Sequence, residues 1–150
     1  MSEIRIDRLS TADMAAARTL FATMARVFED EAGALSDRYL TLLLERADFW
    51  ALSATVDGEI VGGITAYTLP LARAEVRELF IYDLAVVPAS QRRGVGRQLV
   101  SALRSQAASE GIAVAFVPAD NEDTHALDFY RAIGGVPSPV TIFTFGDSEE

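Results

Sequence analysis

Ile4 and Ile6 alternate with charged neighbours at the start of the chain, the period of two that marks a short strand. Ser10, with Asp13 three positions on, reads as a helix N-cap with a capping-box acid. Met14, Ala17, Leu20, Phe21, Met24 and Phe28 then recur at helical spacing, ahead of an acidic stretch and Gly33, which is expected to close the helix. Ser36 marks a second cap before Leu40, Leu43 and Leu44. From Phe49 the period changes to two, and residues 49–56 and 59–68 read as paired strands around Asp57-Gly58, a strong hairpin signal. Residues 79–87 form a nearly continuous apolar run before Pro88, as expected for a strand covered on both faces.

A helix is expected from about Gly94 to Gly111, a natural residue for leaving a helix. Residues 112–117 read as another buried strand, and residues 124–133 as a short helix ended by Gly134-Gly135. Residues 140–145 read as a last strand, followed by a frayed acidic tail at Asp147, Glu149 and Glu150. The predicted order is β-α-α-β-β-β-α-β-α-β, a mixed α/β fold. With 150 residues, no repeat and no linker, the chain is expected to form one domain, 1–150.

Composition narrows the chemistry mostly by what it lacks. There is no Cys, so disulfides, thiol nucleophiles and Cys-ligated metals are excluded. All 13 basic residues are Arg, which removes Schiff-base chemistry and the lysine of a phosphate-binding P-loop. His125 is the single histidine, so no multi-histidine metal site is expected, and none of any kind is assigned. A net charge of −9 argues against a nucleic-acid partner and suits a cationic small molecule. No stretch approaches the roughly 20 apolar residues of a membrane helix. Glu3, Arg5, Asp7 and Arg8 stand where a secretory leader would be apolar, so a cytoplasmic location without membrane partners is expected.

The informative segment lies at residues 79–99, where an apolar strand runs into a turn and then Gln91-Arg92-Arg93-Gly94-Val95-Gly96 opens a helix. Glycines there let backbone amides approach a ligand closely. Amides at a helix N-terminus attract anions, and Arg92 and Arg93 add charge suited to phosphate oxygens. A diphosphate cradle results. The dinucleotide fingerprint fails because its third glycine position holds Leu99. The alternative is a glycine-rich helix start with two solvated arginines.

Leu84-Ala85-Val86, Pro88 and Gln91-Arg92-Arg93-Gly94-Val95-Gly96 resemble the acetyl-CoA-binding signature of the GNAT acetyltransferase superfamily. Asp123, Ala126, Tyr130 and Gly134 resemble, in their spacing, that family's second motif. Within the superfamily, Tyr67-Thr68-Leu69-Pro70, Ile81-Tyr82-Asp83-Leu84-Ala85-Val86 and Ala119-Asp120 are similar to the aminoglycoside 3-N-acetyltransferases of type I. The resemblance implies a GNAT-like fold and acetyl-CoA as acyl donor. It implies that Leu84, Ala85 and Val86 bind the cofactor through their backbone, with Gln91, Arg92, Arg93, Gly94, Val95, Gly96, Arg97 and Asp123. It also implies that Tyr130 protonates the departing thiolate; the other reading of Tyr130 is a core tyrosine beside Leu127 and Phe129.

Asp83 is the single charge in residues 79–87, and an unpaired buried carboxylate is costly. It is either hydrogen-bonded at a strand bulge or exposed in a cleft facing a cation. An alkyl amine is almost wholly ammonium at pH 7, so a carboxylate that removes its proton makes the nucleophile. Tyr82 is expected on the opposite face of the strand and receives no role. Glu29, Asp30, Glu31, Asp120 and Glu122 are candidate walls of a polycation site, or simply solvated loops. The expected activity is acetyl transfer to a primary amine of a cationic small molecule, in particular the 3-amino group of an aminoglycoside, by direct attack in a ternary complex. A polyamine or protein N-terminus as acceptor, or a non-enzymatic acyl-CoA sensor, stays open. A homodimer is a further option, with the strand at 140–145 as its candidate edge.

Overall fold

The computed structural model describes residues 2–30 and 33–146; Glu31 and the tail acids Asp147, Glu149 and Glu150 lie outside them. The chain forms two compact units, Met1–Pro118 and Ala119–Glu150.

In the first unit, β1 (Ile4–Arg8), β2 (Phe49–Val56), β3 (Glu59–Pro70), β4 (Arg77–Val86) and β5 (Val114–Phe116) form one sheet in the order β1-β2-β3-β4-β5. The first three pairings are antiparallel and β4–β5 is parallel. Asp57 and Gly58, both at positive φ, turn β2 into β3 as their sequence demands. Between β1 and β2 lie α1 (Met14–Val27) and α2 (Asp37–Glu45); α3 (Val95–Ser109) crosses over between β4 and β5.

Strand periodicity assigns the two faces of the sheet. Phe49, Ala51 and Ala85 form one core cluster with Ala17, Leu20 and Met24 of α1 and Leu40 and Leu44 of α2. The alternate positions Trp50, Leu52, Ile64 and Leu79 are fully buried on the other face. That face receives α3, which packs on β1 to β4 and buries Val95, Leu99 and Leu103. Two glycines in β3 make the close approaches. A Cβ on Gly63 would stand 2.4 Å from Leu20 Cδ1 and 2.9 Å from the Leu52 carbonyl oxygen, while one on Gly62 would stand 2.6 Å from the Ala85 oxygen.

The helix ends follow local chemistry. Ser10 and Asp13 cap each other's backbone at a 3₁₀ turn, Thr11–Asp13, that leads into α1. Ser36 accepts a hydrogen bond from the Tyr39 amide at the start of α2. Gly33 does not close α1, contrary to expectation. The helix ends six residues earlier, with Glu29 at φ +57, its amide donating to the Arg26 carbonyl and that of Asp30 to Ala25. This is the paired-bond closure in which a left-handed residue usually is glycine. At α3 the same closure does use Gly111, with the Ile112 amide donating to the Ala107 carbonyl.

Three strand expectations need correction. β4 is not covered on both faces, since Phe80 is half-buried and Tyr82 is exposed. The segment at 112–117 yields only the three-residue β5, whose Val114 and Phe116 are exposed; a short apolar run cannot distinguish an edge from a core strand. Residues 140–145 form no strand, so alternation there found no hydrogen-bonded neighbour and the edge suggested for a homodimer is not formed. The mixed α/β class stands, with β-α-α-β-β-β-α-β-α as the order among the described residues. The last helix, α4 (Thr124–Ala132), belongs to the second unit.

Replacing Gly63 by Ala should destabilise the protein by about 1–3 kcal/mol, because backbone and a buried leucine both obstruct the added methyl. Urea denaturation with an unchanged m-value is the check, and a loss below measurement error would show that Leu20 can repack.

Candidate active site

The site in the first unit is built on the second half of β4. β5 pairs only with Glu78, Leu79 and Phe80, so beyond Phe80 the outer edge of β4 has no strand partner among the described residues. Which groups face that open edge follows from the ladder. The Val87 amide donates to the Val61 carbonyl, so Val87 points its backbone inward, and antiparallel alternation points the N–H and C=O of Val86 and Leu84 outward. The Gln91 side-chain amide donates to the Val86 carbonyl at 2.9 Å, which confirms the direction. Leu84 and Val86 therefore offer backbone groups to an extended ligand, while Ala85 is bonded to β3 and buried.

The turn that follows leaves several backbone amides without helical partners. A 3₁₀ turn, Pro88–Ser90, leads to Arg92 at φ +65 and Gly94 at φ +85. Gly94 is the N-cap of α3 and provides no side-chain cap, and the first helical bond runs from the Gln98 amide to the Gly94 carbonyl. The amides of Val95, Gly96 and Arg97 are thus left without helical partners. Arg92, Arg93 and Arg97 are exposed, and none joins an ion pair among the described residues. Of the residues expected to hold the cofactor, Gln91 differs: its side chain is committed to tying the turn to β4.

Asp83 pairs with Thr65 and Ile81 pairs with Ala66, so Tyr82 is an extra residue, a bulge in β4. The sequence-level alternatives for Asp83 resolve unexpectedly. The bulge is present, yet the carboxylate accepts no hydrogen bond and joins no ion pair among the described residues. It is half-buried, and burial pushes its carboxyl above the usual aspartate range.

The bulge also overturns the expectation for Tyr82. Asp83 shares a face with Thr65, and Phe80 shares that face with Tyr67. The Tyr82 ring lies against both Tyr67, at 6.0 Å, and Phe80, at 5.4 Å, so it stands on the Asp83 face and not the opposite one. Burial, supplemented by Tyr39 and Tyr82, holds the Tyr67 phenol above its ordinary value. Simple alternation from the sequence could not have found this, because a bulge is a property of the pairing.

Glu29 and Asp30 sit in the turn that closes α1. In the second unit, the Asp120 carboxylate accepts from the Glu122 amide, and Asp123 is the N-cap of α4, accepting from the Ala126 amide at 3.0 Å. Tyr130 lies near the end of α4 with its ring 5.1 Å from Phe129, and its carbonyl accepts from the Gly135 amide. Among the described residues no cluster of three or more His, Cys, Asp or Glu could hold a metal ion, and no helix is long and apolar enough to cross a membrane.

Comparison with known proteins puts this geometry in context. Residues 14–134 match the Acetyltransferase (GNAT) family. The chain belongs to the GNAT acetyltransferases. Its activity is accordingly that of an acetyl-transferring enzyme. Two solved relatives are aminoglycoside acetyltransferases from uncultured soil metagenomic samples. HMB0005 is 37% identical, with 97% of this chain and 99% of that one covered and a TM-score of 0.91. The other, meta-AAC0020, is 32% identical with 95% of each chain covered; its structures with trehalose and with sisomicin give TM-scores of 0.91 and 0.90. The aminoglycoside N-acetyltransferase AAC(6')-Iy, in complex with CoA, shares the fold at 18% identity, 98% and 97% coverage and a TM-score of 0.78. Among curated proteins no match was found.

For this GNAT enzyme the raised Asp83 carboxyl has a consequence whose sign is fixed by linkage. With the folded-state pKa above the unfolded one, the fold disfavours ionised Asp83 at neutral pH, and that penalty fades as pH falls through the folded pKa. Asp83→Asn should therefore raise Tm at pH 7, and the gain should vanish in acid. Thermal unfolding of both proteins from pH 7 downward is the measurement; a lower Tm for the variant at pH 7 would show that the carboxylate is stabilised by its surroundings.

Proposed function

We propose that this GNAT enzyme transfers the acetyl group of acetyl-CoA to a primary amine of a cationic aminoglycoside, at the 3-amino position, by direct attack within a ternary complex, residues 1–150 acting as one domain. The observation that carries the proposal is the succession of three features along one strand and the turn that follows it. Leu84 and Val86 present an open backbone edge, the turn after Val87 presents uncapped amides with arginines that join no ion pair among the described residues, and Asp83 presents a carboxylate with no hydrogen-bond or ion-pair partner among the described residues. The substrate class is supported by the aminoglycoside acetyltransferases at 32% and 37% identity, one of which binds sisomicin, and the donor by the CoA complex of a shared fold.

The residues fit the donor. Edge groups of Leu84 and Val86 would hold its extended amide-bearing arm as an added strand is held. The amides of Val95, Gly96 and Arg97, with the side chains of Arg92, Arg93 and Arg97, would hold its phosphates. Acetyl-CoA, when bound, supplies a thioester whose carbonyl carbon accepts an amine.

Asp83 takes one proton from the substrate ammonium, directly or through a water, and the freed nitrogen pair forms the C–N bond as the C–S bond breaks. The second nitrogen proton leaves through water as the amide forms, which restores the proton that Tyr130 gives up. A raised carboxyl suits this task, because proton transfer from an ammonium is less uphill to a stronger base. An outward N–H on β4 stabilises the carbonyl oxygen as it gains charge. Tyr130 gives its proton to the departing sulfur. Glu29, Asp30, Glu31, Asp120 and Glu122 are the proposed acidic walls that favour a polycation, in a chain with no Lys and a net charge of −9.

The test is thiol release from acetyl-CoA with sisomicin, gentamicin, spermidine and a short peptide as acceptors. Sisomicin and gentamicin are expected to turn over, and exclusive turnover of the peptide would overturn the substrate class. Asp83→Asn should lower kcat/KM about 100-fold or more and remove its acid limb. Arg93→Glu should weaken CoA binding by calorimetry about tenfold, and an unchanged affinity would remove the turn from the donor site.

A further inference from the structure

The rings on the Asp83 face form a continuous row. Phe21 of α1 meets Phe49 edge-on at 6.3 Å, Phe49 meets Tyr67 at 5.2 Å, Tyr67 meets Tyr82 at 6.0 Å, and Tyr82 meets Phe80 at 5.4 Å. Phe80 in turn stacks on Phe116 at 4.9 Å and 8°. The row begins in the core, where Phe49 is buried, and ends at rings that are not: Tyr82 is 60% exposed and Phe116 is 40% exposed. A tyrosine as exposed as Tyr82 gains little from burial, yet the bulge in β4 is what brings it onto this face, next in sequence to the carboxylate. Its ring is buttressed on two sides, so it can receive a ligand with little further loss of conformational freedom.

Resting on the reading of the enzyme as an acetyltransferase of cationic amines, we infer that Tyr82 is a specificity-determining residue, a platform for the saturated ring of a cyclic, hydroxylated amine whose reacting ammonium faces Asp83. The chemistry selects this class. The C–H groups on one face of an amino-sugar or aminocyclitol ring are polarised by neighbouring ammonium and hydroxyl groups, and they meet the electron-rich face of an aromatic ring favourably. The hydroxyl groups at the ring's rim stay solvated. A linear polyamine carries the same charges but has no flat apolar face to lay on the tyrosine, so Asp83 attracts both and Tyr82 separates them. Tyr82 acts here by holding the acceptor and takes no part in proton transfer.

The experiment compares wild type with Tyr82→Ala, Tyr82→Leu and Tyr82→Phe, using calorimetry with sisomicin and with spermidine in the presence of CoA, and acetyl transfer to each in parallel. CoA affinity and Tm, measured on every variant, establish that the fold and donor site are intact. Tyr82→Ala and Tyr82→Leu should weaken sisomicin binding about tenfold and raise its KM by a similar factor, with kcat within about threefold of wild type. Tyr82→Phe should restore both, and spermidine affinity should change less than about twofold throughout. Sisomicin bound equally by wild type and Tyr82→Ala, or rescue by Leu as complete as by Phe, would overturn the platform and leave the proposed activity standing. Tyr82-dependent sisomicin binding without any acetylation would instead overturn the activity and leave the platform. No sisomicin binding by wild type would overturn both.

Discussion

The pairing of β3 with β4 is the constraint on which the rest of the first unit depends. Up to Ile81 the two strands run in simple register, and from Asp83 onward they run in register again, but with Tyr82 left out. That one-residue slip does two things at once. It puts Tyr82 beside Asp83 on the face of the α1–α2 layer, and it keeps Leu84 and Val86 on the α3 face, opposite Ile64 and Gly62. Gly62 lets β4 approach, since a Cβ there would meet the Ala85 oxygen, and Gly63 lets α1 approach, since a Cβ there would meet Leu20. A carboxylate beside a tyrosine on one face and an open hydrogen-bonding edge between the faces are thus consequences of one irregular ladder.

Electrostatics follow from the same geometry. A carboxylate on a regular, fully covered strand would be neutralised or would need a partner. Asp83 has neither full cover nor a partner among the described residues, and the outcome is a carboxyl raised by burial yet reachable at the edge of a half-covered face. The arginines of the following turn are spent on no ion pair among the described residues. The protein keeps opposite charges apart along about ten residues of chain, a carboxylate at one end and guanidinium groups at the other. This separation is what the proposed pairing of a cationic acceptor with a phosphate-bearing donor would require.

Much of this was legible in the residues. Capping pairs at Ser10 and Ser36, the Asp57-Gly58 hairpin, and the helix beginning after Gly94 are local signals, and local signals survive folding. The strand–turn–helix at residues 79–99 was legible for the same reason, because with glycines at 94 and 96 it is a contiguous device. What failed was mostly what depends on how far a strand finds a partner. Strand formation at 140–145 needs a neighbour that alternation alone cannot supply, and the length of β5 is set by how far it can follow β4. Glu29 takes the left-handed position that Gly33 was expected to fill, at a cost of about 1 kcal/mol that no propensity scale would assign to a glutamate there. The side of the strand on which Tyr82 stands was read wrongly because alternation assumes an unbroken ladder.

The single bond from the Gln91 amide to the Val86 carbonyl reaches further than its size suggests. An unprotected sheet margin is a template for indiscriminate self-association, since any extended peptide can zip onto it. Here one rung is already spoken for, so an invading polypeptide would find the sequence of donors and acceptors broken after two residues. A short guest that needs only the remaining groups loses nothing by that interruption. The glutamine thereby shortens the run of free groups that an exposed margin would otherwise present.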